Sequence, residues 1–189
     1  MNVLILNGSP RKNGNVAKLL NAVREGAEKK HTVKWIDVYN LNILPCRGCM
    51  RCRKEDNCVL APDDAHNIAK DIAEADVLVV GTPTYWANMS SMLKLLFDRI
   101  VYILMGEKSN GFPIPKQKGK KAIIIAACTT PYPFNIIAKQ STGAIAAVWE
   151  VLKYAGYKLI GKINLAGTVK CPNVSDKMLA KAKKLGEKI

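Results

Sequence analysis

The chain alternates short apolar runs with longer segments whose apolar residues recur every three or four positions. The first run, Val3 to Leu6, leads into a Gly-Ser-Pro turn, and helical spacing follows from Val16 to Val23. A second strand is predicted from His31 to Val38. The pattern is therefore strand, turn, helix and strand, which is the usual beginning of an α/β fold.

Two later apolar runs, Asp76 to Gly81 and Ala122 to Cys128, have the unbroken hydrophobicity of strands buried on both faces of a parallel sheet. The remaining elements alternate strictly between helix and strand. The predicted helices run from about Asp64 to Ala73, Met89 to Leu104, Ala138 to Tyr154 and Asp176 to Lys188, and a fifth strand runs from Leu159 to Leu165. In the second of these helices, Met92, Leu95, Leu96 and Arg99 alternate between apolar and charged faces.

Strands that alternate with helices predict a parallel sheet covered on both faces, because each parallel crossover must traverse the sheet right-handedly. Five strands fit an α/β, flavodoxin-like three-layer sandwich with a five-stranded parallel sheet of order 2-1-3-4-5. At 189 residues the chain suits one domain, residues 1–189, with a cysteine-rich loop at 44–60. In such sheets the ligand lies beyond the carboxyl ends of the strands, here between strands one and three.

Composition and charge limit which partners the protein is expected to bind. A hydrophobic content of 49% and a charged content of 23% indicate an ordinary globular protein. The first apolar run lacks the features of a secretory signal and no run reaches membrane-spanning length, so we expect a cytoplasmic protein without a membrane partner. The formal charge of +14 attracts anions, but the lysines are spread along the chain without an Arg-rich arm, so we expect no nucleic-acid partner.

The loop after the first strand, Gly8 to Asn15, carries the groups that bind phosphate. Its glycines let backbone N–H groups turn inward, Ser9 and Asn15 can donate hydrogen bonds, and Arg11 adds charge at a helix N-terminus. The spacing matches neither the dinucleotide-binding glycine pattern nor the Walker loop. A polar turn that only caps the helix is the alternative.

The loop after the third strand, Gly81 to Asn88, places Tyr85 beside Trp86. Two adjacent aromatic side chains in a loop favour a stacked ligand such as an isoalloxazine ring, and the alternative is that they cover the sheet edge or a subunit contact. The turn after the fourth strand contains Thr129 and is again polar. All three loops fall where the switch-point rule predicts a ligand.

Four of the six cysteines lie within thirteen residues, in a C-x2-C-x2-C-x5-C pattern. This compact spacing resembles ferredoxin-type ligation of a [4Fe–4S] cluster more than a zinc ribbon, although zinc, free thiols and a redox-labile disulfide stay open. Nearby cations at Arg47, Arg51, Arg53 and Lys54 would offset cluster charge. We expect Cys128 and Cys171 to be a loop residue and a lone thiol. The candidate metal ligands are Cys46, Cys49, Cys52 and Cys58.

These motifs together resemble the NADPH-dependent FMN reductase and iron–sulfur flavoprotein family of flavodoxin-like NAD(P)H-dependent oxidoreductases. The resemblance rests on Gly-Ser-Pro-Arg-Lys-x-Gly-Asn from Gly8, on Gly-Thr-Pro-x-Tyr-Trp-x-Asn-Met-Ser from Gly81 with the following Leu-Lys-x-x-x-Asp-Arg, and on the cysteine pattern. It extends from Val3 to about Gly167. It implies FMN as the cofactor and NAD(P)H as the electron donor.

The resemblance also implies which residues contact FMN. The first loop would hold the phosphate and the second would line the isoalloxazine ring and ribityl chain. Relatives often carry threonine where this chain has Val16, so one hydroxyl contact is missing, although the backbone N–H there can still donate. The candidate cofactor-binding residues are Ser9, Arg11, Asn13, Asn15, Val16, Pro83, Thr84, Tyr85, Trp86, Asn88 and Thr129.

The resulting hypothesis is an FMN-dependent oxidoreductase that takes hydride from NAD(P)H and reduces a quinone, nitro compound, flavin or protein partner. We name no catalytic side chain, because flavin N5 itself accepts hydride. Two alternatives are an iron–sulfur flavoprotein that acts as a ferredoxin-linked electron carrier and a basic binding module without cofactor. Asp63 and Asp64 are expected at a helix N-cap rather than as a pair of catalytic carboxylates, and both histidines are expected to be structural or surface residues.

The resemblance further implies a homodimer or homotetramer, because a neighbouring subunit commonly covers aromatic loops over a flavin. The segment from Leu104 to Lys121, rich in glycine, proline and lysine, is the best candidate for a lid or contact arm.

Overall fold

Five parallel strands form the central sheet, in the order β2-β1-β3-β6-β7. The computed structural model describes residues 1–170 and 172–189, so the expectation for Cys171 lies outside the described residues. The strands in these ranges are β1 (Asn2–Asn7), β2 (Thr32–Asp37), β3 (Val77–Pro83), β4 (Met105–Glu107), β5 (Pro113–Pro115), β6 (Lys121–Ala127) and β7 (Lys158–Leu165). Strands β4 and β5 form a separate antiparallel pair.

Helices connect the strands and cover both faces of the sheet. They are α1 (Asn15–Ala27), α2 (Cys52–Glu55), α3 (Asp64–Glu74), α4 (Ser91–Arg99), α5 (Val101–Leu104), α6 (Phe134–Ile137), α7 (Gln140–Ala155) and α8 (Asp176–Glu187), with a 3-10 turn at Val38–Asn40. In the described ranges, none of them has the length and apolar character needed to cross a bilayer.

Alternate residues of each central strand enter different apolar layers, because successive strand side chains point to opposite faces. Leu4 and Leu6 belong to the layer under α3, α4 and α7, whereas Val3 and Ile5 belong to the layer under α1 and α8. All four are almost completely buried. The unbroken apolar runs seen in the sequence therefore reflect a sheet with a core on each side, as in a three-layer sandwich.

The flavodoxin-like strand order is confirmed, since β6 and β7 are the fourth and fifth strands of the sheet. The helix predicted from Met89 to Leu104 is interrupted at Ile100, whose φ of −103° and ψ of 21° separate α4 from α5. Most of the segment predicted as a lid or arm folds into the β4–β5 hairpin. The spacing gave no sign of this hairpin because both strands are only three residues long.

Asp63 confirms the prediction of a helix N-cap. Its side chain accepts a hydrogen bond from the N–H of Ala65, and the N–H of Asp63 donates to His66 Nδ1, which completes a capping box for α3. Asp64 lies in the first turn of the helix, where a carboxylate interacts favourably with the helix dipole.

Candidate functional site

The carboxyl ends of β1, β3 and β6 lie side by side, with Asn7 paired to Gly81 and Pro83 paired to Ala127. The loops after these three strands consequently meet at one edge of the sheet, as the switch-point rule requires. They enclose a cavity of about 160 Å³, lined by Ser9, Pro10, Arg11, Gly14, Asn15, Val16, Pro83, Thr84, Tyr85, Ala127, Cys128, Thr129 and Thr168.

Local hydrogen bonds curl the first loop around this cavity. The N–H of Ser9 donates to Asn7 Oδ1 (3.1 Å), and the N–H of Arg11 donates to Ser9 Oγ (3.2 Å). At the start of the loop, the N–H of Gly8 donates to the carbonyl of Gly81 (2.8 Å). A Cβ on Gly8 would lie 2.9 Å from that carbonyl oxygen, so the close approach of the two loops requires glycine.

The first loop ends at the N-terminus of α1, which has the character of an anion site. Gly14 is the N-cap and provides no side-chain cap, and the first turn contains no acidic residue. The N–H groups of Asn15, Val16 and Ala17 therefore have no acceptor within the helix. Together with the helix dipole, they create a region of positive potential beside Ser9 and Arg11.

Asn7 and Asp37, which the sequence analysis did not select, hold this loop in place through hydrogen bonds at the ends of β1 and β2. The side-chain amide of Asn7 donates to Asp37 Oδ1 (2.8 Å), and the indole N–H of Trp35 donates to the same oxygen (2.9 Å). These bonds fix the amide so that Asn7 Oδ1 faces the N–H of Ser9. Their sequence signal is a polar residue at the end of each of the first two strands.

The second loop is a tight turn with an unusual backbone. The N–H of Tyr85 donates to the carbonyl of Asn88 and the N–H of Asn88 donates back to Tyr85. Trp86 and Ala87, at the tip, have φ values of 50° and 61°, a left-handed conformation that costs about 1–2 kcal/mol per residue. A Cβ on Gly143 of α7 would lie 2.3 Å from the Ala87 carbonyl oxygen, so glycine there allows the turn to pack against the helix.

The aromatic side chains of this turn differ in exposure. Trp86 is 97% exposed and Tyr85 is 47% exposed, so both have accessible ring faces. Thr84 lines the cavity, and its N–H donates to the carbonyl oxygen of Ala127 (2.8 Å). Its buried Oγ1 has no hydrogen-bond partner among the described residues. Asn88 lies outside the cavity lining, and its Oδ1 accepts from the N–H of Met89 (2.8 Å).

The remaining predicted residues separate into two groups. Thr129 lines the cavity, whereas Asn13 lies in a neighbouring groove shared with Arg11 and Lys18. Thr168, which follows β7, also lines the cavity, although sequence reasoning did not include it. Its signal was available, because the rule that selects strand ends applies equally to the fifth strand.

The four clustered cysteines lie in one loop, but their sulfur atoms do not converge on a common position. Cys46 and Cys49 are exposed, and Cys52 and Cys58 are half-buried. Burial and the neighbouring thiols of Cys58, Cys46 and Cys49 raise the pKa of Cys52, so the sulfurs influence one another. Across residues 1–170 and 172–189, no three His, Cys, Asp or Glu side chains converge closely enough to hold a metal ion.

A larger groove of about 620 Å³ lies beside the cysteine loop, between α3 and α5. Asn57, Asp63, Lys70 and Tyr102 contribute to its lining. It lies away from the loops that follow β1, β3 and β6.

The sheet order and the loops that meet at its switch point define a flavodoxin-like α/β protein. A model of the NADPH-dependent FMN reductase family matches residues 1–132. The chain belongs to this family.

Known proteins agree with this assignment. The chain is 37% identical over 103 residues to iron–sulfur flavoprotein MJ1083 of Methanocaldococcus jannaschii, a match that covers 52% of this chain and 51% of that protein. The match thus spans only about half the length of the relative. An iron–sulfur flavoprotein of Archaeoglobus fulgidus is 28% identical over 187 residues, which cover 96% of this chain and 76% of that one.

The fold is shared with solved structures. The NAD(P)H:quinone oxidoreductase from Methanothermobacter marburgensis superimposes with a TM-score of 0.73 at 21% identity, covering 99% of this chain and 94% of that one.

Proposed function

We infer that this protein binds FMN in the cavity between the loops after β1, β3 and β6 and uses it as an NAD(P)H-dependent oxidoreductase. The main support is that one small cavity combines an uncapped helix N-terminus, Arg11 and Ser9 on one side with Thr84 and Tyr85 on the other. The first set suits a phosphate and the second suits a polyol chain and a flat ring. The unpartnered Oγ1 of Thr84 is a further feature that a ligand hydroxyl would satisfy.

The cavity volume suits the phosphate and ribityl chain, so the ring would rest on the open side beside Tyr85 and Trp86. Ser9, Arg11 and Asn15, with the N–H of Val16, would hold the phosphate, and Asn13 would lie at its outer edge. Pro83, Thr84 and Thr129 would contact the chain and ring, and Asn88 would keep the turn closed. Bound FMN would supply hydride and electron transfer at its ring, while the protein supplies position and charge.

The substrates follow from the open side of the site. An exposed ring face beside Trp86 can receive a nicotinamide and then a flat acceptor in turn, so we propose NADPH or NADH as donor and a quinone, nitro compound or flavin as acceptor. The oxidoreductase of Methanothermobacter marburgensis, which has the same fold, acts on a quinone by its name.

The visible spectrum of the purified protein tests the FMN proposal first. Bound flavin should give the two absorption bands of oxidised flavin, and anaerobic mixing with NADPH or NADH should bleach them. A colourless protein that binds no added FMN would reject the FMN proposal and favour the alternative of a basic binding module. Bound flavin that neither nicotinamide reduces would leave an electron carrier.

The cysteine loop supports a second candidate function, electron transfer through a [4Fe–4S] cluster held by Cys46, Cys49, Cys52 and Cys58. The donor set fits in kind, because four thiols lie in one short loop and the buried Nε–H of Arg99, near Cys58, has no acceptor among the described residues. The relatives of Methanocaldococcus jannaschii and Archaeoglobus fulgidus are named iron–sulfur flavoproteins. A ferredoxin-type protein would then be the donor. Iron and sulfide analysis after anaerobic reconstitution tests this candidate, and absence of both rejects it.

We also propose that the protein acts in the cytoplasm as a homodimer or homotetramer of a single FMN-binding domain, residues 1–189. Besides Trp86, the described surface exposes Tyr132, Phe134 and Ile137, whose exposed fractions are 75%, 61% and 71%. So much exposed apolar area is typical of a protein contact. Light scattering after gel filtration should give at least twice the mass of 20.7 kDa, and a monomer at every concentration would contradict the proposal.

A further inference from the structure

Arg99, the last residue of α4, is the largest fully buried side chain in the described part of the protein, with 2% of its surface exposed. Its Nη1 donates to the carbonyl of Leu44 and to Asp63 Oδ2, both at 2.5 Å, and its Nη2 donates to Asp63 Oδ1 at 3.2 Å. Burying a guanidinium costs several kcal/mol unless such bonds compensate. All of these bonds go to Leu44 and Asp63, so they indicate that Arg99 holds these two residues in place.

The two residues that Arg99 holds are the two ends of the cysteine loop. Leu44 precedes Cys46, and Asp63 follows Cys58. The N–H of Leu44 also donates to Asp63 Oδ2 (3.0 Å), and the N–H of Asn42 donates to Asp64 Oδ2 (2.6 Å). Arg99 therefore sits across the closed base of the loop, and its fork geometry ties both ends to α4.

The side chain of Cys58 also lies near the guanidinium. Within the described residues, the buried Nε–H of Arg99 has no hydrogen-bond acceptor. The backbone of Cys58 is held separately, since His66 Nε2 lies 3.3 Å from its carbonyl oxygen.

The other thiols of the loop are less constrained. Cys46 and Cys49 are exposed and lie in a stretch without regular structure, where Cys46 Sγ accepts only a local bond from the N–H of Gly48 (3.4 Å). Cys52 opens the short helix α2. Of the four, Cys58 is thus the thiol with a fixed backbone and a buried cation beside its sulfur. This asymmetry distinguishes a loop with one anchored ligand from a loop with four equivalent ones.

We propose that Arg99 is a positioning residue for the cysteine loop: it clamps the two ends and directs an N–H to the sulfur of Cys58, making Cys58 the anchored inner ligand around which the other three thiols gather. The proposal rests on the proposed metal-binding function of the four cysteines. An N–H donor that bonds a metal-bound thiolate orients it and stabilises its negative charge, and loss of such partners typically weakens metal binding about 10- to 100-fold.

Cobalt binding to the full-length, anaerobically reduced protein tests the clamp, because sulfur-to-Co²⁺ charge-transfer absorption reports thiolate ligation directly. Arg99→Met should weaken Co²⁺ binding about tenfold or more, and Arg99→Lys, which keeps the charge but loses the fork, should fall between. Lys94→Met, an exposed change on the same helix, is the matched control and should bind Co²⁺ as the unmodified protein does. Equal Co²⁺ affinity in Arg99→Met and the unmodified protein would overturn the proposal.

A reconstituted cluster provides a readout that general destabilisation would not shift. Removing a cation and an N–H donor from a cluster sulfur disfavours the more negative reduced state, so Arg99→Lys should keep the cluster midpoint potential near that of the unmodified protein and Arg99→Met should lower it. An unchanged potential in Arg99→Met would refute the contact with Cys58. If Arg99→Met does not fold, as judged by its thermal unfolding and FMN content, Asp63→Asn replaces it and should weaken Co²⁺ binding in the same direction.

Failure of the metal site and failure of the clamp are distinguishable. If the unmodified protein takes up neither Co²⁺ nor iron, the proposed metal site is wrong, and hydrogen exchange of the metal-free protein decides the clamp. Arg99→Lys should then speed amide exchange across residues 44–63 relative to Lys94→Met, while exchange in β1 and β3 stays unchanged. Unaltered exchange in that loop would overturn the clamp.

Discussion

Tyr157 places a phenolic hydroxyl in the core without a partner. The side chain is 5% exposed, its hydroxyl has no hydrogen bond among the described residues, and burial raises its pKa far above the ordinary value. A buried polar group without a partner costs about 1–3 kcal/mol. Tyr157→Phe should therefore stabilise the protein, by about 1 kcal/mol, in urea unfolding followed by circular dichroism. Tyr154→Phe, at a more exposed hydroxyl nearby in sequence, is the control, and destabilisation by Tyr157→Phe would show that the hydroxyl is satisfied.

Asp63 gives stability a defined pH dependence. Burial raises the pKa of Asp63, but the N–H of Leu44 and the guanidinium of Arg99 lower it by more, so the folded pKa lies below its ordinary value. The stabilisation is thus complete above the unfolded pKa and is lost as the pH falls through the lowered folded pKa. The free energy of unfolding should drop more steeply below about pH 4 in the unmodified protein than in Asp63→Asn. If the free energy of unfolding fell equally steeply with decreasing pH in both proteins, Asp63 would not be the source of the pH dependence.

Asp37 should affect FMN binding without touching the cavity. Its carboxylate orients Asn7, and Asn7 orients the N–H of Ser9, so Asp37→Ala should loosen the loop after β1. We expect FMN to bind about tenfold more weakly, which corresponds to about 1.4 kcal/mol, measured by fluorescence titration of the apoprotein. Asp71→Ala, which breaks a surface pair with Lys34, should leave FMN affinity unchanged. Equal FMN affinity in both variants would remove Asp37 from the site.

At the scale of elements, the site depends on contact between the second loop and α7. Helix propensity alone predicts that Gly143→Ala stabilises α7 by about 1 kcal/mol. The structure predicts the opposite, because the new Cβ would overlap the Ala87 carbonyl and push the turn off the helix. We expect a loss of about 1–3 kcal/mol in thermal unfolding, with weaker FMN binding. Ala87→Gly should act in the other direction on stability, since glycine accepts the left-handed backbone.

At the scale of the whole molecule, the net charge of +14 should steer anionic substrates. The kcat/KM for NADPH should fall as salt rises from about 0.01 M to 0.15 M, because the Debye length shortens from about 30 Å to about 8 Å. Menadione, an uncharged quinone, should show little salt dependence of its own kcat/KM as acceptor. A salt response equal for both substrates would indicate a general effect on the protein rather than steering.

The alternation of apolar runs and helical spacing was sufficient to predict the sheet, its strand order and the three loops at its edge. These features are local in sequence, or follow from general rules of parallel sheets, so no knowledge of distant contacts is needed. The β4–β5 hairpin and the break at Ile100 were missed because three-residue strands and a single distorted residue leave no periodic signal.

Arg99 shows where prediction from sequence stopped. Its spacing assigned it to alternating apolar and charged faces of a helix, and a charged residue is normally exposed. Only the tertiary structure brings Leu44 and Asp63, 55 and 36 positions away in sequence, into contact with its guanidinium. The bonds to these two residues compensate the cost of burying the charge. The sequence by itself determined the fold and which loops meet at the cavity proposed for FMN. Burial, the partners of charged groups and the contact between Ala87 and Gly143 depend on segments distant along the chain, and only the folded structure decided them.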